Sequence, residues 1–177
     1  MSALSKHRAE VEFFREHPGE AFDEQAQVEF QIEHWLDILP ELRQLFDAHW
    51  KEIALNHDAV PLDIDYEQYE TVARSGELHV VTARRDGWLI GYHISVIRPH
   101  PHYKSTLHCL TDVFYLKPEY RHGMTGYKLL KFFRETVKTK GVKKIFMSTK
   151  LAIDIDPLLR RLGFTMTERL YSVVFDE

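Results

Sequence analysis

Between residues 118 and 130 the chain reads PEYRHGMTGYKLL. A strand-like run stops at Pro118, a tight loop carries Arg121, Gly123 and Gly126, and a helix-like run follows. Glycines in such a turn let the main chain come close to a ligand. The first turn of a helix offers free N–H groups and a partial positive charge. Together they suit an anion, phosphate above all, and Arg121 adds a full charge with planar donors. The spacing is neither G-x-x-x-x-G-K-[ST] nor G-x-G-x-x-G, the two better-known phosphate loops. Read alone, Gly123 and Gly126 serve equally well as turn residues.

A second group of reactive side chains lies just upstream. The chain holds 11 histidines. His108 and Asp112 share strand parity and so face one side, and His93 lies on the neighbouring strand. His100 and His102 flank Pro101 in the stretch 98–106, with Tyr103 beside them. These rings suit substrate contacts or proton carriage, and HPH is half of a metal site. A metal needs three or four ligands in a shared geometry, and no such set can be assembled, so no metal is assigned.

The elements that must position these groups follow from periodicity. Residues 3–16 read as a short amphipathic helix, and 1–26 as a helical extension and linker. VEFQI at 28–32 alternates like a strand with one buried face. A helix is expected from Pro40, with Leu42, Leu45, Phe46, Trp50 and Ile53 on its apolar side. A shorter helix over 66–75 is capped by Asp65 and ended by Gly76. Strands at 77–85 and 88–97 are joined by Asp86-Gly87, a hairpin signal. After a loop at 98–106, strands at 107–116 and 142–149 enclose a helix carrying Leu129, Leu130, Phe132, Phe133 and Val137. A helix at 154–162 precedes a last strand, YSVVF at 171–175, with room for one more between 164 and 170. This is an α/β (α+β) chain with a mixed sheet of six to seven strands flanked by helices, forming a single domain over 27–177.

Composition narrows the function classes. The formal net charge of −4 does not favour a nucleic-acid binder. The local run KTKGVKK reads as a solvated helix end. One cysteine, Cys109, excludes an intramolecular disulfide and fits a reducing compartment. No long apolar run marks a signal peptide or membrane anchor, so a cytoplasmic location is expected.

The stretch TDVFYLKPEYRHGMTGYKLL resembles the GNAT acetyltransferase family, in which a strand ending V-x-P-E-Y-R leads through a glycine loop into a helix. RRLGF at 160–164 is similar to a late family segment. Among members, the chain is most similar to small GNAT-like proteins encoded by bacteriophages. The resemblance implies acetyl-CoA as cofactor and an amine, on a small molecule or a protein, as acceptor. It implies that the N–H groups of His122, Gly123, Met124, Thr125, Gly126 and Tyr127, with Arg121, hold the diphosphate. The main chain of Phe114, Tyr115 and Leu116 would pair with the pantetheine arm, which needs strands 107–117 and 143–149 to splay apart. Asp112 stands where several relatives carry a glutamate base, with His108 and Tyr103 as further catalytic candidates near the acceptor mouth. Many relatives dimerise through late strands, and YSVVF is apolar enough to be such an edge, so the resemblance leaves oligomeric state open with a homodimer as one option.

The chain departs from the family pattern in two places. The glycine expected at position 124 is Met124, with glycine one place earlier. The tyrosine that often protonates the leaving thiolate aligns with Leu159, which has no proton to give. A non-catalytic interaction module with a degenerate cleft is therefore kept as the alternative, and histidine-based metal chemistry as a weaker one. Trp35, Trp50, Tyr66 and Tyr69 fall in the helices expected to flank the acceptor cleft, and their spacing reads as core.

Overall fold

The computed structural model describes residues 27–175. The helical extension expected for 1–26 lies outside them. Five strands form one sheet in the order β1-β2-β3-β4-β5. They are β1 (Val28–Ile32), β2 (Leu78–Arg85), β3 (Trp88–His100), β4 (Tyr103–Leu116) and β5 (Val142–Phe146). The first four pair antiparallel, and β5 lies parallel to β4. The helices are α1 (Trp35–Ile53), α2 (Tyr66–Arg74), α3 (Thr125–Thr139) and α4 (Asp156–Arg161). The parallel pair is the one whose connection is a helical crossover, α3.

Each face of the sheet has its own apolar layer. On one face, Leu129, Leu130, Phe133 and Val137 of α3 pack with Ile90, Cys109, Leu116, Leu159 and Leu162. On the other, Trp35, Ile38, Leu42 and Phe46 of α1 pack with Val80, Tyr92, Ile94 and Tyr115. Each such side chain contributes about 1.5–3 kcal/mol by leaving water, so burial rather than helix propensity fixes the helices. Arg84 of β2 ties the start of α1 to the sheet. Its guanidinium reaches the Glu33 carboxylate at 2.8 and 3.0 Å and the Glu41 carboxylate at 2.9 Å. Where β3 passes behind β4, only glycine fits: a Cβ on Gly91 would sit 2.8 Å from the Tyr115 carbonyl oxygen.

Several expectations are corrected. α1 begins at Trp35 and not at Pro40, which sits inside it. The extra turn holds because Trp35 and Ile38 are buried and the N–H groups of Asp37 and Ile38 donate to the His34 carbonyl. Residues 98–106 form most of a tight hairpin tip, not an open loop. The β2 ladder ends at Val96, so Pro99 breaks no bond to that strand. The sheet has five strands among the described residues, not six to seven, and neither late strand forms. Leu170, Tyr171, Val173 and Phe175 are exposed. Alternation gives this segment a strand-like pattern, but a strand also needs a neighbour to pair with.

Three histidines are buried within these layers. His49 of α1 meets the Tyr92 hydroxyl at 2.8 Å, His79 meets Thr136 at 2.9 Å, and His93 meets Thr111 at 3.1 Å. His93 also stacks on Phe133 with ring centroids 3.6 Å apart. Burial pushes His49 and His79 down to about 4 and His93 down to about 3. The unfolded chain therefore takes up protons near its ordinary histidine range, about 6.5, that the folded chain refuses. The stability these rings contribute is full above that range and is lost as the pH falls towards 4. The loss is up to about 1.4 kcal/mol per ring per pH unit. Urea unfolding should show stability falling from about pH 7 to about pH 5. A flat profile there would mean that the rings are hydrated in the folded chain.

Candidate functional site

The β4–β5 ladder stops at Leu110 and Phe146. Just past it, β4 carries a bulge: Ile94 pairs with Val113 and Ser95 with Thr111, so Asp112 is the extra residue. A bulge bends its strand and sharpens the twist. Beyond it, the β4 edge over Val113–Leu116 has no strand beside it, and a cleft of about 230 Å³ opens between that edge and residues 147–150. Gly126 and Leu158 line it on the α3 side, and Glu52 and Ile53, at the end of α1, on the other.

The strand-to-helix turn closes one end of the cleft. A 3-10 turn at Pro118–Tyr120 leads to Arg121. Gly123 takes φ +73°, a conformation that strains any residue with a Cβ. Met124 caps α3 with no side-chain hydrogen bond, so the first-turn N–H groups have no side-chain acceptor at the cap. A Cβ on Gly126 would meet Leu116 and Leu158 methyls at 3.8 Å, so this position is small and faces the cleft. Arg121 lines the cleft, but its donors are engaged. Its Nε donates to the Leu116 carbonyl at 2.7 Å, and both Nη groups bond the Glu52 carboxylate, Nη2 at 2.7 Å. The hydrogen bond from Arg121 holds Glu52 below the usual carboxylate range.

Asp112 stands on the opposite face of β4 from Thr111. The Tyr69 hydroxyl of α2 donates to its Oδ2. Burial and then the Asp112 carboxylate push the Tyr69 hydroxyl up from its ordinary range. Deeper in, His49 lies against Tyr115 with ring centroids 4.7 Å apart, and its Nε2 is buried with no partner.

The sequence candidates divide. Asp112, Phe114, Tyr115, Leu116, Arg121 and Gly126 all line the cleft. His122, Gly123, Met124, Thr125 and Tyr127 form the turn and first helical turn beside it. His108 and Tyr103 sit together at the hairpin end of β4, rings 5.6 Å apart, and neither lines the cleft. His108 is buried against Thr106 at 3.1 Å, with the His100 ring 5.4 Å away. His100 Nδ1 already accepts from the His102 main-chain N–H at 3.1 Å. Among the described residues, no group of three or more His, Cys, Asp or Glu is placed to hold a metal. Leu159 is in the core, and its neighbour Leu158 faces the cleft. Sequence reasoning missed Glu52, Thr111 and Tyr69 as cleft or cleft-side residues. The helical spacing of Tyr69 reads as core, and only its place on α2 beside the strand marks it otherwise.

The family model described as "Acetyltransferase (GNAT) family" matches residues 35–164. The chain belongs to the GNAT acetyltransferase family. Solved structures share the GNAT fold at low identity. An aminoglycoside N-acetyltransferase in complex with CoA has a TM-score of 0.66 at 19% identity, covering 86% of this chain and 97% of that one. A ribosomal-protein-alanine N-acetyltransferase from Brucella melitensis biovar Abortus 2308 gives 0.63 at 17%, over 85% and 98%. An aminoglycoside acetyltransferase from an uncultured soil metagenomic sample, in complex with trehalose, gives 0.63 at 14%, over 85% and 95%. The narrower likeness to bacteriophage-encoded members has no counterpart in these three. No match was found among curated proteins. As a member of this family the chain is an acyltransferase, and the aminoglycoside N-acetyltransferase it resembles is solved with CoA bound, which is consistent with acetyl-CoA as the cofactor. The cleft fits such a group: it has an unpaired strand edge for an extended amide arm and an uncapped helix start for phosphates. Among the described residues no helix is long and apolar enough to cross a membrane.

Proposed function

We propose that this chain is an acetyl-CoA-dependent N-acetyltransferase that passes acetyl directly to an amine bound on the Asp112 side of β4. The observation that carries this reading is the coincidence of the bulge, the cleft and a carboxylate at one point of β4. The cofactor supplies an acetyl group activated as a thioester. The main-chain groups of Phe114, Tyr115 and Leu116 hold its amide arm, and the N–H groups of residues 122–127 hold its diphosphate. Arg121 acts by shaping the turn rather than as a free cation, since Glu52 already neutralises it.

Asp112 takes the proton that an ammonium must lose before it can attack. The main-chain N–H of Phe114 would donate to the acetyl carbonyl oxygen; as the N–C bond formed and the thioester C–S bond broke, the coenzyme would leave as a thiol carrying the second proton of the amine. Of the three sequence candidates for proton transfer, this path uses Asp112 alone. The acceptor is an amine. The neighbours act on aminoglycosides and on a ribosomal-protein alanine, so an aminoglycoside and a peptide with N-terminal alanine are the first acceptors to try. A non-catalytic module with a degenerate cleft is less well supported, because Gly126 leaves the cleft open where a larger residue would fill it.

A second copy of this chain is the proposed protein partner, with the exposed run Leu170, Tyr171, Val173 and Phe175 as its contact. Sedimentation should find a dimer, and a monomer at every concentration would remove this partner.

Two variants test the site. Asp112→Asn should lower kcat by about a hundredfold or more while the acetyl-CoA dissociation constant holds. Full activity in that variant would strip Asp112 of its role. Gly126→Val should raise the dissociation constant at least about tenfold, by filling the space beside the phosphate turn. Its Cβ starts 3.8 Å from two apolar methyls, so the fold should survive. Calorimetry showing unchanged affinity would refute the turn as the diphosphate site.

A further inference from the structure

A carboxylate at a bulge has little to hold it. Asp112 has no cross-strand partner on β3, and its side chain is exposed. The Tyr69 hydroxyl, 43 residues away in sequence, donates a hydrogen bond to it. We infer that Tyr69 is a positioning residue: its hydroxyl occupies Asp112 Oδ2 and fixes the carboxylate so that Oδ1 takes the proton of the acceptor amine. This rests on the reading of Asp112 as the base.

Tyr69 is itself well anchored. Its ring stacks on Trp35 with centroids 4.6 Å apart and planes 20° apart, and Trp35, the first residue of α1, is fully buried. The helix carrying it starts from a capped end, where the Asp65 side chain accepts from the Gln68 N–H at 2.8 Å. The hydroxyl therefore approaches Asp112 from a rigid element, as accurate placement of a reacting group requires. Burial and the adjacent carboxylate keep the phenol protonated, so it remains a donor. A carboxylate accepts at both oxygens, and a donor locked on one leaves the other for substrate. The charged and titratable groups around this point include Tyr69 from α2, Tyr92 from β3, Tyr115 from β4, Glu52 from α1, Arg121 from the turn and Lys150 beyond β5.

The test uses Tyr69→Phe, which keeps the ring on Trp35 and deletes only the hydroxyl. With the amine that gives turnover, kcat should fall about tenfold or more, while acetyl-CoA affinity and melting temperature hold. In the Asp112→Asn background the same substitution should have no further effect on kcat. A second readout needs no acceptor. In protein carrying 13C-labelled aspartate, the Asp112 carboxyl resonance at fixed pH should move in Tyr69→Phe while the other aspartate resonances hold, because the donor to Oδ2 is gone. An unmoved Asp112 resonance, or equal losses in both backgrounds, would overturn the inference and leave Tyr69 a packing residue. If Asp112→Asn is as active as the parent, the base assignment fails instead.

Discussion

One extra residue in β4 governs the site. β4 pairs with β5 only as far as Leu110 and Phe146, and the bulge at Asp112 lies just past that point, where the cleft opens. The same insertion reverses side-chain parity, so Asp112 and Val113 share the face of α1 and α2, while Phe114 and Leu116 return to the face of α3. A strand that would otherwise be a continuous ladder thus gains a free edge and a carboxylate within two residues. Both are things a regular antiparallel pair cannot offer.

The two walls of the cleft are built from different forces. On the α3 side, packing of Leu116 and Leu158 around Gly126 sets the width, and the helix start supplies partial positive charge. On the α1 side, Glu52 and Arg121 hold the end of a helix against the turn. That helix is anchored at its other end by Arg84 between Glu33 and Glu41. Charge pairs therefore clasp α1 at both ends, while aromatic rings from Trp35 to Tyr92 fill the space between.

What the sequence made legible was local. The Asp86-Gly87 hairpin, the Asp65 cap, the strand-turn-helix around Arg121 and the apolar stripe of α3 depend on residues a few places apart. What escaped depends on partners far apart in the chain. Tyr69 finds Asp112 across 43 residues, and Arg121 finds Glu52 across 69. The need for splayed strands was readable from the family resemblance, but the residue that inserts was not, because a bulge is a mismatch between two strands and leaves no mark in either. Pro40 misled for a related reason: it marks a plausible helix start, and only tertiary burial of Trp35 and Ile38 extends the helix before it. YSVVF misled because its alternation says nothing about whether a neighbouring edge is available.

Cys109 lies in the layer between the sheet and α3, fully buried, and burial pushes its thiol up. A sulfur in that state is a poor nucleophile. Since the chain has no other cysteine, the folded protein presents almost no reactive sulfur of its own. Chromogenic disulfide reagents would register liberated coenzyme against a dark background. Used on the protein alone, they become a clock, because colour develops only as fast as the sheet and α3 come apart.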